Sequence, residues 1–276
     1  MTVRLPDWLD QLRKAEVTER VRKDPRSTGR TLLGVDSNRA FNEVIGGGQA
    51  NFDTPWENLS PDDLALLYAY LNQKGHLEEL IAAFGQLFPR SGATPQNPIV
   101  VDIGCGPFTG GLALAATFGH DPCFDYIGID HADSMRRLGE RLARSNLVPG
   151  RVKTNWAASV NAFQWQDPPT WRDVIVIISY LFASPSLNAE VVFKDLDRLL
   201  RKLGHGAATL VYTNSTGEEA NRQYPGFRQR LEEAGFRVHA EDQGKILIER
   251  RDGLKERKLC YALFRRPPQW ILQLGE

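Results

Sequence analysis

The chain of 276 residues is long enough for one full hydrophobic core, or one domain with an appendage. Its 34 Lys and Arg balance 34 Asp and Glu, so no global field draws in nucleic acid or an anionic membrane, although residues 1–40 and 237–270 are mildly basic. Cys105, Cys123 and Cys260 form no disulfide framework or CxxC pair, the five histidines lack metal-ligand spacing, and no apolar run or N-terminal h-region suggests a membrane or secretion. A cytoplasmic protein without a metal site is expected.

Residues 1–35 mix charged and apolar residues at roughly helical spacing until Pro25 interrupts. FNEVIGGGQANFDTPW (41–56) contains three successive glycines and reads as a mobile loop. SPDDLALLYAYLNQKG predicts a helix, with Ser60 as N-cap, Pro61 as first helical residue, and Leu64, Leu67 and Leu71 on one face. HLEELIAAFGQLF predicts a second helix, and SGATPQNP (91–98) reads as a linker. From residue 99 the rhythm alternates. Strands are expected at IVVDI, DYIGID, RVKTNWA, DVIVIISYLFA and GAATLVYTN. Helices are expected at FTGGLALAATFG, ADSMRRLGERLARS, LNAEVVFKDLDRLLRKLG and GFRQRLEEAG. KILIERRDGLKERKLCYALF then gives two strands around an Asp252-Gly253 hairpin signal. This is an α/β chain with a doubly wound, mostly parallel sheet and an antiparallel edge. The expected division is a helical N-terminal extension over 1–92 and a sheet domain over 99–276.

The stretch VVDIGCGPFTGG (100–111) runs from a strand through glycines into a helix. Gly104 and Gly106 let backbone approach a ligand where a β-carbon would clash, and Pro107 suits a first helical turn. The helix N-terminus offers N–H groups to an anion. A dinucleotide fingerprint starting at Gly104 needs a third glycine where Thr109 stands. Asp102, at the strand exit, opposes a pyrophosphate more strongly, since a carboxylate about 5 Å away costs about 3 kcal/mol at an effective dielectric near 20. A ligand with both a carboxylate and an ammonium, such as the methionine end of S-adenosylmethionine, resolves the conflict if its ammonium approaches Asp102. Asp130 ends the next strand, where an acid accepts ribose hydroxyls in NAD sites as well.

DIGCGPFTGG followed by YIGIDHADSM resembles the first two motifs of class I S-adenosylmethionine-dependent methyltransferases. The similarity covers residues 99 to about 266. It implies a seven-stranded Rossmann-like sheet with a terminal antiparallel hairpin, S-adenosyl-L-methionine as cofactor and S-adenosyl-L-homocysteine as product. Asp102, Gly104 and Gly106 match the acid and first two glycines of the methionine-binding loop, whose neighbours are Cys105, Pro107 and Thr109. The family's third glycine falls at Phe108. Asp130 matches the ribose acid, and His131 and Met135 stand where such proteins flank the adenine. Ser159 and Val160 follow the third strand, where the family often places an acid near the adenine amine.

Acceptor chemistry is expected at the ends of the fourth and fifth strands. Ser179, Tyr180 and Asn214 stand there, and Tyr68 is placed in a lid over residues 41–72. Cys105 reads as a small filler rather than a nucleophile, and Trp156, Trp165 and Trp171 as a packed cluster. DPPTW (167–171) and Pro122-Cys123 are nucleic-acid methyltransferase look-alikes in the wrong topological positions. A small-molecule acceptor methylated at O or N is the leading reading. An RNA or protein acceptor, or a non-catalytic cofactor-binding domain, is the alternative, and the oligomeric state is left open.

Overall fold

The structure is a computed structural model that describes residues 2–88, 94–184, 186–250 and 253–269. Asp252 of the expected turn, residues 91–93 of the expected linker and residues 270–276 lie outside these. In chain order come β1 (Thr2–Val3), α1 (Asp7–Arg13), α2 (Glu19–Arg22), β2 (Thr31–Leu32), β3 (Val35–Asp36), α3 (Ser37–Arg39), α4 (Pro61–Tyr68) and α5 (Lys74–Leu87). There follow β4 (Ile99–Ile103), α6 (Thr109–Phe118), β5 (Cys123–Ile129), α7 (Asp133–Ala143), β6 (Arg151–Ala157) and β7 (Val174–Ser179). The rest is α8 (Ala189–Leu203), β8 (Ala208–Asn214), α9 (Glu218–Asn221), α10 (Tyr224–Glu233), β9 (Arg237–Arg250) and β10 (Gly253–Arg266).

The main sheet runs β1-β9-β10-β8-β7-β4-β5-β6. Strands β4 to β8 are mutually parallel, and β10 is antiparallel to both β8 and β9. The expected α/β, doubly wound architecture with an antiparallel terminal hairpin is therefore present. The sheet has eight strands rather than seven, because Thr2 and Val3 pair parallel with Leu247 and Ile248 on the outer edge of β9. Within β7, Val174 to Ile178 are buried on both faces, as the continuous apolar run requires. Among the described residues no helix is long and apolar enough to cross a membrane.

Helices α8 and α10 cover one face, with Val192, Leu196, Leu203, Phe227 and Leu231 in that core. Helices α5, α6 and α7 cover the other. Leu77, Leu80, Phe84 and Leu87 of α5 share one core with Leu112 of α6, Leu138 of α7, Val211 of β8 and Leu263 of β10. Leu9, Leu12 and Val17 join the same cluster. The core thus runs without interruption across the boundary expected between residues 92 and 99.

The capping box expected at Ser60 is formed, with Ser60 Oγ and the Asp63 carboxylate serving each other's backbone N–H groups. The two predicted helices are one rod, however, since a π-helical turn over Ala69–Gln73 joins α4 to α5. Gly75 does not end a helix; the Arg257 guanidinium lies against it. The π-helical turn buries Gln73, whose Nε2 donates to Pro107 O at 3.1 Å while its Oε1 accepts from Arg13 Nε at 3.4 Å. The N-terminal helices therefore hold the glycine turn from behind.

Phe108, at the place of the family's third glycine, takes the left-handed conformation (φ 64°) that a glycine there would favour. Its fully buried ring packs edge-on to Tyr126 at 4.7 Å and against Trp156. Space for it is left by Gly111, where a β-carbon would run into the Phe108 ring. Gly111→Ala is expected to overpack this site and cost about 1–3 kcal/mol of stability in denaturant titration. The three tryptophans do not cluster: Trp156 stacks here, Trp165 lies by Phe163, and Trp171 is exposed beside His205.

Candidate active site

A cleft of about 490 Å³ opens beyond the carboxyl ends of β4, β5 and β7. Gly104 and Gly106 form its floor, Asp130, His131 and Met135 one wall, and Ser159 and Val160 an end. Ser179 and Tyr180 form the opposite wall. Gly48, Gln49, Ala50, Phe52 and Tyr68 form a roof. Both floor glycines have positive φ, 72° and 51°. A β-carbon on Gly104 would meet Leu181 Cδ1 at 2.8 Å, and one on Gly106 would point at Tyr68 Cε1 at 3.9 Å.

Asp130 is held in place by two backbone donors. Gly106 N–H donates to Oδ2 and Ala132 N–H to Oδ1, each at 2.9 Å. Burial raises its pKa, and these donors oppose the rise. Its side chain keeps 11% exposure, so each oxygen retains acceptor capacity towards the cleft. His131 is exposed beside it, 3.7 Å away, and Met135 is buried below. Cys105 is buried and its thiol is pushed up by burial, which suits a filler. Thr109 is buried at the start of α6 with its hydroxyl unpaired.

Asp102 does not face the cleft, contrary to the expected approach to a ligand ammonium. Strand alternation sends Ile103 to the cleft and Asp102 to the opposite face. There its Oδ2 accepts from Tyr126 Oη at 2.7 Å and it accepts from the Gly110 N–H of α6. Burial lifts its pKa to about 7. The folded state therefore binds this proton more tightly than the unfolded chain. Stability present at about pH 4 is expected to fall as pH rises towards 7, and Asp102→Asn to flatten that slope in thermal melts between these values.

Asn214 is likewise off the cleft. It is fully buried, its Nδ2 donating to Tyr212 Oη and Ala220 O and its Oδ1 accepting from Ser215 N–H. It fastens the turn after β8. Ser179 does line the cleft, its Oγ accepting from Thr213 Oγ1 at 2.9 Å. Tyr180 adopts a left-handed φ of 58° immediately after β7, strain of the kind that collects at functional sites. Its ring stacks on His76 at 4.1 Å, and His76 Nδ1 is hydrogen-bonded to Tyr68 Oη at 3.3 Å. Burial and the Arg257 charge depress His76 to about 3, so it is neutral.

The sequence reading missed His76, Glu79 and Arg257. Glu79, on α5, is 1% exposed and bonded to Arg257 Nε of β10. The roof is hydrogen-bonded to the start of α7. Ser134 Oγ donates to Phe52 O at 2.6 Å, Asp133 N–H donates to Asp53 at 2.8 Å, and Phe52 meets Tyr68 edge-on.

No family model matches the chain, and no curated protein matches it. Among solved structures it is similar to a SAM-dependent methyltransferase from Methanosarcina mazei, at 14% identity over 64% of this chain and 95% of that one, with a TM-score of 0.41. It is also similar to precorrin-6y C5,15-methyltransferase from Geobacter metallireducens, at 13% identity, 71% and 87% coverage and a TM-score of 0.44. A SAM-dependent O-methyltransferase from Thermotoga maritima aligns at 10% identity over 64% and 62%, with a TM-score of 0.41.

Proposed function

We propose that the chain is an S-adenosylmethionine-dependent methyltransferase acting on a small molecule at oxygen or nitrogen. The observation that carries this reading is the juxtaposition of Asp130 with a floor that lacks side chains at 104 and 106. A ligand's main body can lie directly on that backbone while its ribose hydroxyls bond the carboxylate. Met135 and Val160 supply apolar contacts for a flat base, and Ser159 a polar edge. Bound there, S-adenosylmethionine supplies an electrophilic methyl group.

The protein's part is alignment and the exclusion of water. Phe52 and Tyr68 close the cleft from above, which suits a small acceptor better than a polymer. Calorimetry is expected to show binding of S-adenosylmethionine or S-adenosylhomocysteine and none of NADH. Asp130→Ala is expected to weaken that binding by about 1–3 kcal/mol, as charge-assisted hydrogen bonds are lost. NADH binding in place of S-adenosylhomocysteine would overturn the cofactor assignment. A screen of small hydroxyl and amine compounds with methyl-labelled cofactor tests the acceptor class. Transfer confined to RNA or protein would overturn the small-molecule part.

A further inference from the structure

We propose that the acceptor is a flat aromatic compound methylated on a nitrogen that is unprotonated at neutral pH, and that Tyr68 and Tyr180 select it by favouring positive charge where the methyl group is transferred. A ring nitrogen or an aromatic amine meets that description. This deepens the methyltransferase reading above and rests on it. Three aromatic side chains border the cleft, Phe52 and Tyr68 in the roof and Tyr180 on the wall. Phe52 meets Tyr68 edge-on at 5.5 Å. The Tyr68 hydroxyl is bonded to His76, and its ring carbons lie over the floor, Cε1 being 3.9 Å from a β-carbon built on Gly106. Tyr180 gives one face to the His76 ring and borders the cleft with the rest of its own. The four rings thus run without a break from the roof to the end of β7.

The charges point the same way. Among the described residues no lysine or arginine lines the cleft, whereas Asp130 and Asp195 do. Arg198 pairs with Asp195 at 3.5 Å, but Arg136 is spent on Asp133 and on the Asp130 and His131 carbonyls. His76, stacked on Tyr180, is held neutral by burial and the Arg257 charge. Such a cleft welcomes a sulfonium and repels a phosphate, carboxylate or phenolate, and ring faces attract a nearby cation. In the step the nitrogen lone pair forms the bond to the methyl carbon, and the carbon–sulfur electron pair stays on sulfur. Positive charge passes from sulfur to nitrogen, so the surroundings that steady it before transfer still steady it afterwards. An amine acceptor sheds its extra proton to water after transfer. Methylating a neutral hydroxyl would call for a base at the reacting atom. Of the described lining residues only Asp130, His131 and Asp195 carry a carboxylate or an imidazole, and none belongs to the roof or the Tyr180 wall.

Three small rings of like shape and different charge test this on the full-length protein saturated with S-adenosylhomocysteine: N-methylpyridinium, toluene and benzoate. Titration followed by ligand NMR is expected to show N-methylpyridinium binding about tenfold tighter than toluene, with benzoate the weakest. Tyr180→Leu should lower N-methylpyridinium affinity about tenfold and toluene affinity much less, while Tyr180→Phe, which keeps the ring, stays within about twofold of the parent. A loss of packing alone would weaken both compounds alike. S-adenosylhomocysteine affinity, measured beside each variant, shows that the cleft is still formed. With S-adenosylmethionine, transfer is expected to pyridine-type and aniline-type nitrogens ahead of the matching phenols. No binding of N-methylpyridinium, equal binding of the three rings, a parental preference for the cation in Tyr180→Leu, or transfer to phenols alone would overturn the proposal. S-adenosylhomocysteine failing to bind the parent in calorimetry would instead overturn the methyltransferase reading.

Discussion

Gly106→Val is expected to lower S-adenosylhomocysteine affinity more than 100-fold while the protein stays folded. A β-carbon built on Gly106 points away from the sheet, and its nearest neighbour is Tyr68 Cε1 at 3.9 Å. Two further methyl groups would fill the gap between the glycine turn and the roof, where the ligand has to lie. Conformation adds a smaller effect: φ is +51°, a region that costs an L-residue about 1–2 kcal/mol. Gly106→Ala bears most of that strain with little bulk, so it separates the two contributions. Alanine should reduce affinity less than about tenfold and valine should abolish it, with melting temperatures lowered similarly in both. The Gly106 N–H that fixes Asp130 survives either change. Parental binding by the valine variant would place the cofactor elsewhere in the molecule.

The parts of the site that sequence made legible are those set by local backbone rules. A strand followed by Gly-x-Gly has few ways to turn, so the floor at Gly104 and Gly106 followed directly. That Asp130 lines the cleft followed in the same way, because the strand ends of a parallel sheet open onto one side. Side-chain direction was harder. Asp102 and Ile103 are adjacent, and which of them faces the cleft depends on which face of β4 the helices cover, a tertiary fact. Asn214 failed for a similar reason, since Tyr212 and Ala220 claim its amide only once the chain turns back after β8. Glu79 and Arg257 are 178 residues apart, and no periodicity links them. The Phe108 position looked like a defect in the motif. The compensating void at Gly111 is visible only when the aromatic ring is placed above it.

A chain reduced to residues 91–276 is expected not to fold cooperatively. The sequence suggests a helical extension over 1–92, and Leu77, Leu80, Phe84 and Leu87 of its α5 are fully buried against the sheet. Burying each such side chain is worth about 1.5–3 kcal/mol, so the four together approach the 5–15 kcal/mol that typically separates folded from unfolded states. Loss of Gln73 would also release the Pro107 carbonyl at the glycine turn. Circular dichroism of the truncated chain should show no cooperative melt, and calorimetry no S-adenosylhomocysteine binding. The roof can be probed without this loss through Gly48, whose φ is +105° and whose β-carbon would meet Tyr68 Cε2 at 3.2 Å and Asn72 Nδ2 at 2.7 Å. Gly48→Ala should push Tyr68 down into the cleft, reducing turnover more than cofactor affinity, while S-adenosylhomocysteine slows hydrogen exchange across residues 41–56 in the parent. A truncated protein that melts cooperatively and binds S-adenosylhomocysteine as the parent does would make the helical layer a separable appendage. The roof would then have to be supplied from within residues 91–276.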